Sequence, residues 1–218
     1  MKINIDKYRT LVDSRINESE DDLILHAVMP LLNDLGYELD YCKIQKRAVM
    51  TGKITDIFFH DAKDNKLIVE VKKATEKIDK KHLFQLSAYL NSLEVEWGII
   101  TNGYEWILLN NKIKETDLRG LQDRIVFHVD LRKNRVGPSN GNNIKKFCYE
   151  WVFKSKISYY YKLLQQYKVY LLNQGRLESS FNTYRGTLNR FINYMIYRYN
   201  RFYSFSNLEI SEFIDFAK

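Results

Sequence analysis

The N-terminal part of the chain carries a helical hydrophobic pattern. Apolar residues recur every four positions from Leu23 to Leu35, which predicts one buried face of a helix over residues 19–35. Ser19 is a suitable N-cap, and the acidic residues that follow it suit the positive end of a helix dipole. Pro30 lies inside the pattern, so we expect a kink there.

Residues 41–131 change to short apolar runs of β-strand type, interrupted by one helical pattern. Leucines spaced three, four and three apart predict a helix over residues 79–93. The dipeptide Asn102-Gly103 between two apolar runs predicts a hairpin with a type I′ turn. The predicted strands are 41–49, 53–60, 66–73, the two arms of the hairpin in 97–109, and 124–131. This order of elements predicts an α/β (α+β) fold with a mixed central sheet flanked by helices.

The stretch VGPSNGNN at residues 136–143 is rich in turn-forming residues and has no periodicity. We therefore predict a first domain at 1–136, a linker at 137–143 and a small all-helical second domain at 144–218. Within the second domain, helices are predicted over 144–172 (with a break near 155–158), 181–199 and 207–217.

Charge divides the chain at the same place. Residues 1–143 hold 22 Lys and Arg against 22 Asp and Glu, whereas residues 144–218 hold 12 against 5 and also 11 of the 16 tyrosines. A basic and aromatic-rich segment is typical of nucleic-acid binding, because cations neutralise phosphates and rings stack on bases. The alternative is a solvated basic face over a tyrosine-rich helical core.

Several classes of protein are not expected. No apolar run approaches the roughly 18 residues that a membrane helix needs, and the N-terminus is not of signal-peptide type. Cys42 and Cys148 are too few and too far apart for a disulfide framework or a zinc site. We expect a reduced, cytoplasmic protein with no membrane partner and no small-molecule cofactor beyond a metal ion.

The segment KLIVEVKK, residues 66–73, is an apolar strand that carries charges. Glu70 and Lys72 are two residues apart and so point to the same face. If this strand pairs with the preceding one, Asp56 joins them, and two carboxylates with a lysine form a set suited to Mg²⁺-dependent phosphodiester hydrolysis. Gln85 and Tyr89 share one face of the following helix. The alternative is an edge strand and a helix with ordinary solvated charges.

The ordered segments SEDDLILHAVMPLLNDLGY, ITDIFF, IVEVKK, FQLSAYL and WGIITNGYEWILL resemble the PD-(D/E)xK nuclease superfamily over about residues 17–130. The resemblance is closest to the N-terminal nuclease domain of type I restriction enzyme motor subunits, and it implies a restriction-endonuclease-like fold. It implies the following roles: metal ligands Asp56, Glu70 and Glu20 (with Glu18 as the rival of Glu20), catalytic lysine Lys72 and motif glutamine Gln85, with Tyr89 matching the Q-x-x-x-Y form of that motif. Tyr89 and Lys73 are candidate DNA contacts.

Residues 155–217 resemble the helical core-binding (SAM-like) domain of tyrosine recombinases and phage integrases, through YLLNQG, SSFNTYRGTLNRFINYM and SNLEISEFIDF. That domain clamps DNA, and the recombinase catalytic domain is not expected here. The candidate DNA contacts are Lys162, Lys168, Arg176, Arg185 and Arg190, each of which is otherwise a solvated helix charge.

Three functions stay open at this point. The first is a DNA endonuclease dependent on Mg²⁺ or Mn²⁺, serving restriction, phage defence or a mobile element. The second is a non-catalytic DNA-binding or regulatory protein that retains a nuclease fold. The third is a protein-interaction module or an RNA-directed nuclease. One such site cuts one strand, so double-strand cleavage would call for a homodimer.

Overall fold

A six-stranded mixed sheet forms the centre of the fold. The computed structural model describes residues 3–47, 54–113, 120–132, 144–154 and 157–199. The strands are β1 (Cys42–Arg47), β2 (Ile54–His60), β3 (Lys66–Val71), β4 (Trp97–Thr101), β5 (Glu105–Asn110) and β6 (Ile125–Asp130). They lie in chain order across the sheet, and all neighbours are antiparallel except β3 and β4. The predicted mixed sheet of an α+β fold is confirmed.

Helices pack on both faces of this sheet. They are α1 (Ile5–Asp13), α2 (Glu20–Leu23), α3 (Met29–Asp34), α4 (Lys80–Ser92), α5 (Ile157–Asn173) and α6 (Glu178–Tyr199). Helix α4 makes the crossover between the parallel strands β3 and β4, a connection that parallel pairing requires. Among the described residues, no helix is long and apolar enough to cross a membrane.

The alternation of side chains along β2 and β3 divides the core into two layers. Ile57 and Val69 pack with α1 to α3 on one face, whereas Phe58 and Ile68 pack with α4 on the other. Strand β3 is buried on both faces, which explains its nearly continuous apolar run. Any polar side chain on β3 must therefore find partners inside the fold.

The predicted helix over residues 19–35 is present but changes type in the middle. Ser19 caps α2 by accepting the Asp22 N–H, and a π-helical turn, Ile24–Val28, separates α2 from α3. Pro30 lies in the first turn of α3, just after the π-helical turn. Proline has no N–H to donate to the preceding turn, so the irregularity falls where the sequence predicts a kink.

The turn between β4 and β5 differs from the predicted type I′ geometry. Gly103 has a φ of +86°, but Asn102 does not have the positive φ that type I′ needs. The Asn102 side chain instead accepts the N–H groups of Tyr104 and Glu105, so a side-chain-to-backbone turn replaces the tight one. Gly103 then packs against Val12 of α1, where a Cβ would lie 2.9 Å from a methyl group.

Residues 144–154 pack into the core on the face of the sheet that meets α1 to α3. The continuous helix predicted from residue 144 is wrong in this part. Short 3₁₀ and π-helical turns occupy Lys145–Phe147 and Glu150–Lys154. The Tyr37 hydroxyl donates to the Phe147 carbonyl at 2.8 Å, and Phe153 stacks near Phe59. Close packing of bulky aromatic rings in this part of the core decides the backbone conformation, and a regular helix does not form. The division into two domains stays a prediction, and the linker 137–143 and the helix 207–217 lie outside the described residues.

Candidate active site

Strand alternation brings the three predicted site residues of β2 and β3 to one face of the sheet. Ile57 pairs with Val69, so the next position of each strand places Asp56 beside Glu70. Both lie on the face that packs with α4, because each is two residues from an apolar position on that face. Lys72 follows the end of β3, where its N–H donates to the Thr101 carbonyl at 2.8 Å and keeps the chain beside β4.

Glu70 is the centre of the cluster. Its side chain is only 1% exposed, and its Oε1 accepts hydrogen bonds from Lys72 Nζ at 2.7 Å and from Gln85 Nε2 at 2.5 Å. The same Gln85 amide donates to the Tyr89 hydroxyl at 3.1 Å. Helix α4 thus supplies two residues, one turn apart, that fix the orientation of the Glu70 carboxylate.

Asp56 is held by backbone rather than by a side chain. Its Oδ2 accepts the Val71 N–H at 2.7 Å, so the position of this carboxylate is tied directly to β3. Asp56 remains partly exposed, whereas Glu70 is enclosed. The cluster therefore has a buried centre at Glu70, and its partly exposed members are Asp56 and Gln85.

Burial raises the pKa of both carboxyl groups of the cluster. Burial is the main cause of the rise in the pKa of Glu70 to about 7, and the negative charge of Asp56 adds to it against the opposing effect of Lys72. Burial likewise raises the pKa of Asp56. Burial lowers the pKa of Lys72, but its hydrogen bond and ion pair with Glu70 outweigh this and leave that pKa raised. Such crowded, shifted groups are typical of functional sites.

Glu20 in the first turn of α2 lies close enough to act on this cluster. Its charge raises the pKa values of Asp56 and Glu70 and also that of Lys72. The rival position Glu18 instead forms an ion pair with Arg15 at 2.8 Å. The sequence alone left the two open, and the electrostatic coupling favours Glu20.

The two carboxylates of the cluster supply the oxygen donors that hard cations prefer. Glu70 Oε2 is buried and has no hydrogen-bond partner among the described residues, an arrangement that is costly unless a proton, a hydrogen-bond donor or a cation meets it. Asp56 offers a second carboxylate on the open side of the same face. The described residues contain no group of three or more His, Cys, Asp or Glu side chains arranged to hold a metal. Mg²⁺ is often held by one or two carboxylates with water and substrate phosphate, so the two carboxylates fit this ion.

The predicted DNA contacts fall in different surroundings. Tyr89 is buried, and its hydroxyl accepts a hydrogen bond from the Gln85 amide, so it belongs to the cluster and not to the exposed surface. Lys73, Arg176 and Arg185 are exposed. Lys168 is only 6% exposed, and its Nζ pairs with Glu178 Oε1 at 2.5 Å. The side chains of Lys162 and Arg190 lie outside the described residues.

The sequence did not identify the residues that support the cluster from β4, from the β4–β5 turn and from the loop after Lys72. Gly98 of β4 faces α4, and a Cβ there would lie 3.0 Å from Leu90 and 3.1 Å from Leu86. A glycine inside an apolar strand is a usable signal of such close approach. Two contacts at Glu76 hold the loop after Lys72 in place. Asn102 Nδ2 donates to the Glu76 carbonyl at 2.7 Å, and His82 Nε2 lies 2.9 Å from the Glu76 carboxylate.

Comparison with known proteins gives one finding for this chain. Neither a curated protein nor a solved structure matches it. The resemblance of residues 155–217 to a SAM-like domain stays a prediction. Residues 20–123, which include Asp56, Glu70, Lys72 and Gln85, match the family model described as the type I restriction enzyme R protein N terminus. This segment is therefore similar to that restriction-enzyme family, and the similarity indicates a nuclease-related role.

Proposed function

We propose that the protein is a DNA endonuclease that depends on Mg²⁺ or Mn²⁺ and hydrolyses phosphodiester bonds at the Asp56–Glu70–Lys72 cluster. The observation that carries this proposal is the buried Glu70 carboxylate, which is oriented by Lys72 and Gln85 and has one oxygen without a partner. The similarity of residues 20–123 to a restriction-enzyme segment supports the same chemistry. The basic C-terminal part would hold the DNA.

Each residue of the cluster has a distinct task in this proposal. Asp56 and Glu70 would hold the ion, which when bound supplies Lewis-acid stabilisation of charge on the phosphate. Gln85 holds Oε1 of the Glu70 carboxylate and so limits its rotation, which would leave Oε2 for the ion. The Lys72 ammonium, which remains charged at neutral pH, offsets negative charge that develops on the phosphate oxygens.

Cleavage of plasmid and linear DNA tests the proposal. The wild type is expected to cut with Mg²⁺ or Mn²⁺ and to stop when EDTA is added. Glu70→Gln removes a proposed ligand and should abolish cutting, whereas Glu150→Gln makes the same chemical change at an exposed residue that lies outside the cluster and should cut normally. DNA that stays intact with every metal, although the protein binds it, would refute the enzyme and favour a non-catalytic DNA-binding protein.

Metal binding has a signature that does not depend on cutting. A cation bound to the native state alone stabilises it by RT ln(1 + [L]/Kd), which is about 2.7 kcal/mol at a hundredfold excess over Kd. Mn²⁺ should therefore raise the Tm of the wild type, measured by differential scanning fluorimetry. The variant Asp56→Asn should show a much smaller rise, and Asp64→Asn, which alters an exposed carboxylate, should respond like the wild type. An equal rise in all three proteins would show that the ion binds elsewhere.

A further inference from the structure

Three exposed tyrosines form a patch on the helical pair α5 and α6. Tyr167 and Tyr170 lie on α5 and Tyr184 lies on α6, with exposed fractions of 38%, 58% and 53%. We call these three residues the tyrosine cluster. Large aromatic side chains usually bury most of their area, so three neighbouring exposed rings mark a surface that could receive a partner.

The three tyrosines contact each other through their rings. They do not hold the fold together through hydrogen bonds of their hydroxyl groups. Tyr167 and Tyr170 are nearly parallel, with 18° between their planes and centroids 6.5 Å apart. Tyr184 approaches Tyr167 edge-on, also with centroids 6.5 Å apart. The three hydroxyl groups make no hydrogen bond with the described residues. The patch is therefore a group of rings with accessible surface, held on two helices.

Exposed cations lie on and between the same two helices. Lys168 and Glu178 neutralise each other in their ion pair, whereas Arg176, in the connection between α5 and α6, and Arg185, which follows Tyr184 on α6, are exposed. The wider segment 144–218 carries the whole positive excess of the chain. A hydrophobic protein partner would not require that charge, whereas a polyanion would be attracted by it.

We propose that the tyrosine cluster binds single-stranded DNA by stacking on its unpaired bases, while Arg176 and Arg185 contact the phosphates. This inference rests on the proposed function, because it names the form of DNA that the same chain would hold. In a duplex the base faces are already stacked on one another, so exposed rings add little to binding. In a single strand every base offers a face, and aromatic rings near cations form a platform for it.

The test is a binding measurement made in EDTA, so that no cutting occurs. Fluorescence anisotropy is recorded with a labelled single strand of mixed sequence and with the same strand in a duplex. The double variant Tyr170→Ala/Tyr184→Ala removes the two most exposed rings. Stacking on aromatic side chains predicts that its affinity for the single strand falls by roughly 10- to 100-fold, with a change of less than about twofold for the duplex.

Two control variants separate stacking from other causes. Tyr170→Phe/Tyr184→Phe keeps the rings and removes the hydroxyls, so it should bind the single strand like the wild type. Leu177→Ala alters a strongly exposed apolar residue between α5 and α6 that has no ring, and it should also bind normally. Circular dichroism checks that the alanine variant keeps its helices.

The remaining outcomes separate failure of the single-strand inference from failure of the nuclease proposal. Equal loss on single strand and duplex, or no loss on the single strand, overturns stacking by the cluster. If the wild type never cuts DNA but the alanine variant loses single-strand affinity, the nuclease proposal fails and the binding inference stands. If the wild type cuts DNA and the alanine variant binds single strands normally, the binding inference alone fails.

Discussion

The variant Lys72→Met is expected to lose cleavage, with kcat lowered by about 10²- to 10³-fold, a range typical when one group that stabilises transition-state charge is removed. Methionine has a similar length but no charge, so the neighbouring strands keep their packing. The Lys72 ammonium contacts Glu70 at 2.7 Å and is largely buried, so its loss leaves the Glu70 carboxylate without its cation. Cleavage by wild type and variant under single-turnover conditions measures the effect.

The same variant should change how stability depends on pH. In the wild type the pKa of Glu70 is raised from 4.5 to about 7, so the native state binds a proton more tightly than the unfolded chain does. The free energy of unfolding therefore falls as pH rises through this window, because the native protein must give up a proton that it holds favourably. The raised pKa of Asp56 acts in the same direction.

Without Lys72 the Glu70 carboxylate loses the cation that stabilises its charge, so its pKa rises further. The fall in unfolding free energy then continues to higher pH. Removing one partner of a buried ion pair costs about 3 kcal/mol while the other partner is charged, and less once that partner is neutral. Urea unfolding in EDTA at about pH 6 and about pH 8.5 should show the larger loss at the higher pH.

Lys73→Met is the matched control for stability. Lys73 follows Lys72 directly but is exposed. Its replacement should change the free energy of unfolding by less than about 0.5 kcal/mol at either pH, as is usual for surface positions. If Lys72→Met and Lys73→Met lose stability equally at both pH values, the buried Glu70–Lys72 pair does not control the electrostatics of this site.

The cluster on β2 and β3 could be predicted because its geometry is local. The period of two in a strand puts Glu70 and Lys72 on one face, and a short turn brings Asp56 of the preceding strand beside them. The leucine spacing of α4 similarly fixed which of its faces meets the sheet. These signals depend on a few neighbouring residues, so no knowledge of distant contacts was needed.

Other features depend on contacts between residues far apart in the chain. Tyr37 and Phe147 are 110 residues apart, and their hydrogen bond draws the segment after the predicted linker into the core. The periodicity of 144–154 favours a helix, but packing of its rings against the sheet decides its shape. Lys168 has the sequence character of a surface cation, yet Glu178 on α6 pairs with it as the helices pack. Only the folded chain places such partners together.

Gly98→Val is expected to disable the site without altering any residue in it. Gly98 of β4 lies under α4, and even a Cβ would approach the Leu90 and Leu86 methyl groups at 3.0 and 3.1 Å. The two additional methyl groups of valine have no room, so α4 must move away from the sheet. That helix carries Gln85, whose amide lies 2.5 Å from Glu70 Oε1, so the displacement separates the two groups.

Overpacking of this kind costs about 1–3 kcal/mol in stability, and a shift of about 1 Å at a reacting group can lower activity by about 10²-fold. Urea unfolding and DNA cleavage measure the two effects, and Gly98→Ala should lie between wild type and Gly98→Val in both. Gly186→Ala provides the matched glycine control, because a Cβ in that position of α6 meets nothing within 4 Å. Alanine is the better helix former, so this change should raise stability by about 0.5–1 kcal/mol and leave cleavage unchanged. Full cleavage by a destabilised Gly98→Val protein would mean that the position of Gln85 is not needed for the chemistry.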